Sequence, residues 1–285
     1  MNTFTQHVKN GARLLGAAAL FAAATAALGQ QARLPANFQS TKVIRTAVQN
    51  QYPPLNYSHP ETRKLSGLNI DLLEAIGAKL GVKMEMVETS FAQMTPGLDS
   101  GRFDFIGTGI GDFPARRETL TLVNYLQQGP QLIALQEKAG SFKTPADLCG
   151  KSVGHVRFVA SFGVVLKALS ESECVAKGKP AIVAVTDDLP VMLGLVQNRY
   201  DAALIASELY PWLVQTEKSP IARIGQPLRT WYLALGFRKQ DTALRDAIAA
   251  ALSSLIQDGT YAKILARYKL SELAVKDVSI DVGEF

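Results

Sequence analysis

The sequence predicts an α/β fold, and three observations carry that expectation. From Lys42 onward, short apolar runs of strand length alternate with amphipathic stretches of helical period. Turn and stop residues, among them Tyr52-Pro53-Pro54 and Gly81, punctuate those runs. A hydrophobic content of 47% against 19% charged residues supplies a folded core and argues against a disordered chain. At 285 residues the chain suits one large domain or two lobes of ordinary size.

Ahead of the alternation, MNTFTQHVKNGAR carries Lys9 and Arg13 without an acid, and the apolar run LLGAAALFAAATAALG follows. Ala27-Leu28-Gly29 fits a small-x-small cleavage site, so residues 1–29 read as a secretory signal and the mature chain starts near Gln30. The run is short and alanine-rich for a membrane anchor. It lacks a twin-arginine start, and no cysteine follows the cleavage site to take a lipid. The expected product is exported. In an oxidising compartment Cys149 and Cys174 pair as a disulfide more readily than they hold a metal, since no paired histidines accompany them.

Taken in order, KVIRTAVQ reads as a strand that ends at the Tyr52-Pro53-Pro54 turn. GLNIDLLEAIGAKLG places Leu68, Leu72, Leu73, Ile76 and Leu80 on one helical face, with Gly81 as the stop. VKMEMVE alternates Val82, Met84 and Met86 against charges, as a half-buried strand does, which makes the methionines core filler. RFDFI is the next strand, and DFIGTGIGDFPARRETL follows as a glycine-rich loop. Thr144 caps a helical turn with Pro145 at its first position. KSVGHV, AIVAV and YDAALI are strands separated by the helices ASFGVVLKALSE and DLPVMLGLVQN. The tail is an amphipathic helix burying Leu244, Ile248, Leu252, Leu255 and Ile256, a break at Asp258-Gly259, and a second short helix. It is expected to pack on the first lobe.

GLDSGRFDFI from Gly97 and GLVQNRYDAAL from Gly194 share Gly-Leu, then Arg, an aromatic residue and Asp. The echo suggests two lobes of similar plan, each offering strand ends to a common cleft. Gly107, Gly109 and Gly111 match neither the spacing of a dinucleotide loop nor a P-loop, which would require a Lys-Ser/Thr partner. Their expected use is room for a ligand beside the backbone. A formal charge of +5 without a basic stripe argues against nucleic acid as a partner.

The ordered phrases YPPLNY, GLNIDLLEAIGAKLGVKMEMVE, LDSGRFDFI, FPARRETL, DLCGKSVGHV, NRYDAALI and DGTYAKILARY carry a resemblance over about residues 42–270. In this order they resemble the periplasmic solute-binding proteins of polar amino-acid ABC importers, the extracellular solute-binding proteins of family 3. The resemblance implies two α/β lobes of the type II binding-protein fold, joined by two hinge-crossing segments: residues 42–129 plus 231–285, and residues 130–230. GPQLIAL and RTWYLALG are the expected crossings.

It also implies a cleft lined by Gln49, Tyr52, Phe91, Gly109, Gly111 and Arg116 on the first lobe. Arg116 matches the arginine that holds a ligand carboxylate, a role suited to a permanently charged, bidentate fork. Arg117 is expected to be a solvated neighbour. The chain departs from the family pattern where Gly111 and Phe113 replace threonines, and where Phe158-Val159-Ala160 replaces a Gly-Thr-Thr-like loop. Ala206 stands where the family places the acid for a ligand ammonium. An unpaired ammonium buried there would cost several kcal/mol, on the order expected for any isolated charge.

The implied function is a monomeric periplasmic protein, without cofactor or metal, that captures a small organic carboxylate for the membrane subunits of an ABC importer. Its ligand is amino-acid-like, or an apolar or aromatic acid. The alternative is a cyclohexadienyl-dehydratase-like enzyme on the same scaffold, for which Asp112 and Glu208 are candidate acids. His155, inside SVGHV, reads as structural. Association with a periplasmic dehydrogenase or a sensor is a third reading.

Overall fold

The computed structural model describes residues 33–157, 159–187 and 191–284; the segment read as a signal, residues 1–29, lies outside them. The first elements are a short helix Ala36–Thr41 (α1), strand Val43–Val48 (β1), and a small antiparallel sheet of Gln51–Tyr52 (β2), Asn56–Ser58 (β3) and Leu65–Ser66 (β4). Helix Leu68–Leu80 (α2), strand Lys83–Glu88 (β5), helix Met94–Asp99 (α3), strand Phe105–Gly111 (β6), the short helix Pro114–Arg117 (α4) and strand Leu120–Gln128 (β7) follow.

The middle of the chain contributes strands Pro130–Leu135 (β8) and Ser152–Val156 (β9), helix Ala160–Glu173 (α5), strand Val183–Asp187 (β10) and helix Val191–Val196 (α6). Strand Ala202–Ala206 (β11), helix Leu209–Gln215 (α7) and strand Ile221–Ile224 (β12) complete it. Strand Trp231–Arg238 (β13), helices Thr242–Gln257 (α8) and Thr260–Arg267 (α9), and strand Ala274–Ile280 (β14) close the chain.

These strands form a six-stranded sheet, β14-β7-β13-β6-β1-β5, and a five-stranded sheet, β10-β9-β11-β8-β12. In the first, β1 runs parallel to β5 and β6, while β13 is antiparallel to β6 and β7. In the second, β9 is parallel to β10 and β11, and β8 is antiparallel to β11 and β12. Two α/β lobes result. The chain leaves the first sheet between Gln128 and Pro130 and returns between Ile224 and Trp231. The crossings touch, Leu228 N–H donating to Pro130 O at 2.9 Å. Most of the two stretches expected as crossings is strand, β8 and β13, each inside its sheet.

Local sequence explains the main helices. α2 buries Leu68, Leu72, Leu73 and Ile76 and ends on Gly81, whose φ of 68° suits the left-handed turn. α8 buries Leu244, Ile248, Leu252 and Leu255 in the same core as α2, with Ile256 partly buried, as the tail pattern expects. Each such leucine or isoleucine contributes about 1.5–3 kcal/mol by leaving water. The Thr144-Pro145 start appears as a short 3-10 turn, Pro145–Leu148, with a reciprocal Thr144–Asp147 capping box. Cys149 and Cys174 form a disulfide with Cα atoms 5.5 Å apart.

The sequence echo has a direct structural counterpart in hydrogen bonding. Arg102 N–H donates to Gly97 O and Arg199 N–H to Gly194 O, both at 2.9 Å. Phe103 and Tyr200, both buried, fill the space a Cβ would need at Gly97 and Gly194 respectively. Asp104 Oδ2 then accepts from Arg45 N–H at 2.7 Å, and Asp201 Oδ2 from Ser152 N–H at 3.0 Å. In both lobes the acid ties a helix end to the neighbouring parallel strand.

Candidate ligand cleft

Arg116 sits just past the carboxyl end of β6. Phe113 is extended at the N-cap of α4 and Pro114 opens that turn, which swings Arg116 back over the strand end. Its Nη1 donates to Gly111 O at 2.9 Å. The guanidinium lies over the rings of Phe113 at 5.3 Å and Phe91 at 5.5 Å. Arg116 is half-buried, and burial pulls its pKa below the ordinary arginine value. It remains a cation at any physiological pH. Among the described residues no carboxylate lies within 4 Å of it. The arrangement is a shielded positive charge with donors left for an anion.

The glycines play a different part from the one their sequence suggests. Gly107, Gly109 and Gly111 lie within β6, every residue of which is buried, and not in a loop. Gly109 has φ of 84°, and a Cβ there would fall 2.4 Å from Tyr125 Oη. A Cβ on Gly111 would meet the Phe113 ring at 2.5 Å. The room is therefore taken by the chain's own Tyr125 and Phe113 rather than opened to a ligand. Behind the strand a buried polar network fixes it. Tyr125 Oη donates to Asn69 Oδ1 at 2.7 Å, Asn69 Nδ2 to Thr108 O at 2.6 Å, and Asn56 Nδ2 to Thr108 Oγ1 at 3.0 Å. Gln49 joins through its backbone N–H, which donates to Thr108 Oγ1 at 3.1 Å.

Asp112 and Arg117 also differ from expectation. Asp112 is fully buried, 3.3 Å from Arg117 Nε, and accepts from Gly283 N–H at 2.7 Å and Asn124 Nδ2 at 3.0 Å. Arg117 donates to the carbonyls of Asp281 and Gly283. The pair clamps the C-terminal strand's exit segment, so Arg117 is a structural anchor rather than a solvated neighbour. With all this committed inside the lobe, Asp112 is not placed for proton transfer to a ligand.

On the second lobe, Val159 caps α5 and Ala206 ends β11. Both pack, with Phe113 from the first lobe, against the apolar cluster containing Leu132, Phe162, Leu204 and Trp231. Phe113 meets Trp231 edge-on at 5.7 Å. Phe158 lies outside the described residues. His155 is buried in β9, with Nδ1 3.3 Å from Val156 O and Nε2 3.2 Å from Thr186 Oγ1, a structural setting as expected. The structure thus groups Arg116, Phe91, Gly111 and Phe113, and joins them through Phe113 to Val159 and Ala206. Gln49 and Gly109 belong to the support behind.

Tyr52 leads to the group whose importance the sequence pattern understates. Its hydroxyl donates to Glu208 Oε1 at 2.5 Å. Gln128 is oriented by the Trp231 indole: its amide oxygen accepts from Nε1 at 2.7 Å, and its nitrogen donates to Glu208 Oε1 at 2.5 Å and Oε2 at 3.1 Å. Glu208 is fully buried between the lobes, and burial raises its pKa to about 7 against the Tyr52 hydrogen bond. Burial first, then the facing Glu208, raises the Tyr52 hydroxyl well above its ordinary value. The available signal was position: Glu208 stands two residues past the carboxyl end of β11, where ligands of α/β sheets gather.

Comparison with known proteins agrees with this architecture. The chain is 24% identical over 247 residues to the arginine-binding protein ArgT of Corynebacterium glutamicum, covering 85% of this chain and 79% of that protein. It is 25% identical to the L-arginine-binding protein of Pseudomonas aeruginosa, covering 81% and 89%. Among solved structures, a histidine-bound ABC uptake transporter substrate-binding protein of Streptococcus pneumoniae superposes with TM-score 0.67 at 23% identity, covering 84% and 97%. An ancestral cationic amino acid solute-binding protein gives TM-score 0.68 at 21% identity, covering 81% and 97%. Residues 44–271 match the bacterial extracellular solute-binding proteins, family 3, and the chain belongs to that family.

Proposed function

We propose that the protein captures a small organic carboxylate between lobes formed by residues 42–129 plus 231–285 and 130–230, and delivers it to the membrane subunits of an ABC importer. It works as an exported, periplasmic monomer without a cofactor. One observation carries this reading: Arg116 is a shielded cation at a strand end without a carboxylate partner among the described residues. A ligand carboxylate there gains charge-assisted hydrogen bonds of about 1.5–3 kcal/mol each. Phe91, Phe113, Val159 and Ala206 supply the apolar walls, while Tyr52 is taken up by Glu208 at the hinge.

Relatives are named for arginine, histidine and cystine. Here Ala206 gives an ammonium no partner, and Glu208 is already held by Tyr52 and Gln128. We therefore favour an acid without an α-ammonium. Thermal-shift titration with L-arginine, L-histidine, L-cystine, benzoate and phenylacetate tests this, with native mass spectrometry of the purified protein to identify any retained ligand. A carboxylate without an amino group should raise Tm, and Arg116→Ala should abolish that rise. Stabilisation by L-arginine alone, or an unchanged rise in the variant, would refute the reading.

A second reading rests on Glu208, a buried acid with a pKa of about 7. Such a group suits proton transfer in dehydratase-like chemistry. Its check is an absorbance assay for prephenate turnover; activity that vanishes in Glu208→Gln would place the enzyme reading first.

A further inference from the structure

Glu208 lies where three parts of the molecule converge. Tyr52 comes from β2 of the first lobe, Glu208 follows β11 of the second, and Gln128 and Trp231 lie on the strands beside the two crossings. Ser207 binds Glu208 to the hinge itself, its N–H donating to Gly129 O at 2.8 Å and its Oγ accepting from Gly129 N–H at 3.0 Å. One turn on, Trp212 packs on Tyr57 of the first lobe with ring centroids 4.6 Å apart. The Tyr52–Glu208 hydrogen bond is therefore an interlobe contact made next to the pivot.

The chemistry of this contact is uncommon for a carboxyl group. Its hydrogen-bond partners are all neutral: the Tyr52 hydroxyl, the Gln128 amide, the Ser207 hydroxyl and its own backbone N–H. The titratable groups that interact with it are Tyr52 and Tyr125, the latter on β7. Among the described residues no lysine, arginine or histidine nitrogen lies within 4 Å of it. The described histidines are engaged elsewhere, His59 Nδ1 accepting from Glu61 N–H at 3.3 Å and His155 bonding within its own sheet. An ionised carboxylate so placed carries a desolvation cost that these neutral donors offset only in part, with no cation to complete the balance.

We propose that Tyr52 and Glu208 form a proton-operated latch between the lobes, shut when Glu208 carries a proton and loosened when it gives that proton to solvent. Opening hydrates the carboxylate and returns it towards its ordinary pKa of 4.5, whereas the shut form holds it near 7. The shut form therefore binds more protons between those limits, and closure weakens as pH rises through them. The latch uses the hinge and not Arg116, so its failure and the failure of the proposed ligand are distinguishable.

The molecule carries its own reporters, because its two tryptophans, Trp212 and Trp231, both sit at these contacts. Small-angle X-ray scattering and tryptophan fluorescence of the ligand-free protein between pH 4 and 8.5 should show a single reversible step within the window from pH 4.5 to about 7. The radius of gyration should be larger on the alkaline side. Glu208→Gln should stay compact throughout, and Tyr52→Phe should be the more open form at pH 5.5. No step in the wild-type protein, or an unaltered step in Glu208→Gln, would overturn the proposal. The wild-type titration decides the matter even if a variant does not fold.

Discussion

Gly109 shows how little space one residue has behind the cleft. Its φ of 84° lies in the left-handed region, which costs other L-residues about 1–2 kcal/mol. A methyl group would also press on Tyr125 Oη, which bonds Asn69. Gly109→Ala should therefore destabilise the protein by about 2–4 kcal/mol, combining the two effects. Urea denaturation checks this, and a loss under about 0.5 kcal/mol, the range of ordinary surface changes, would contradict it. The resemblance singles out Arg116 in the sequence, and the structure places it just past the end of β6 with its guanidinium over Phe91 and Phe113. The fates of its neighbours were not legible in the sequence, since Asp112 and Arg117 are committed to Gly283 and Asp281, residues far along the chain.

Among the elements, α5 and the turn before β9 are stapled together by Cys149–Cys174, 25 residues apart. Opening that loop releases about 3 kcal/mol of chain-entropy restraint in the unfolded state. Reduction, or the paired change Cys149→Ser with Cys174→Ser, should lower stability by about that amount in denaturant titrations. Equal midpoints with and without reductant would show that the staple contributes nothing. The repeated Gly, aromatic and Asp pattern was legible because each residue in it acts locally. The glycine makes room, the ring fills it, and the acid accepts from the next strand. β6 runs on past Ile106 through a stretch whose sequence reads as a loop, because glycines weaken a strand's own propensity. Here the filling side chains come from α2, β1, β7 and the residue after next, which a local window does not contain.

For the whole molecule, Glu208 sets a pH dependence opposite to that of an ordinary acid. Its pKa is raised from 4.5 to about 7 by burial, so its contribution to stability is full below 4.5 and is lost as pH rises to about 7. Asp201 has the reverse sign: despite burial, hydrogen bonds from Ser152 hold its pKa below 3.8, and its contribution is lost on acidification beneath that value. The windows do not overlap. Between pH 4.5 and 7 the urea midpoint of the wild-type protein should fall with a slope that Glu208→Gln removes. A variant that keeps the wild-type slope would assign the effect to other groups.

By itself the sequence determined the α/β class, the alternation that builds both lobes, and the buried face of α2 and α8. Those features depend on period, turn residues and local packing, which lie within a few residues of one another. Tertiary structure alone decided that the glycines would be filled by Tyr125 and Phe113, that Arg117 would hold the C-terminal segment, and that Tyr52 would meet Glu208. The last pair is 156 residues apart in sequence. Their meeting depends on how two distinct sheets close about the crossings, and burial of a carboxyl group there follows from that closure rather than from any local pattern.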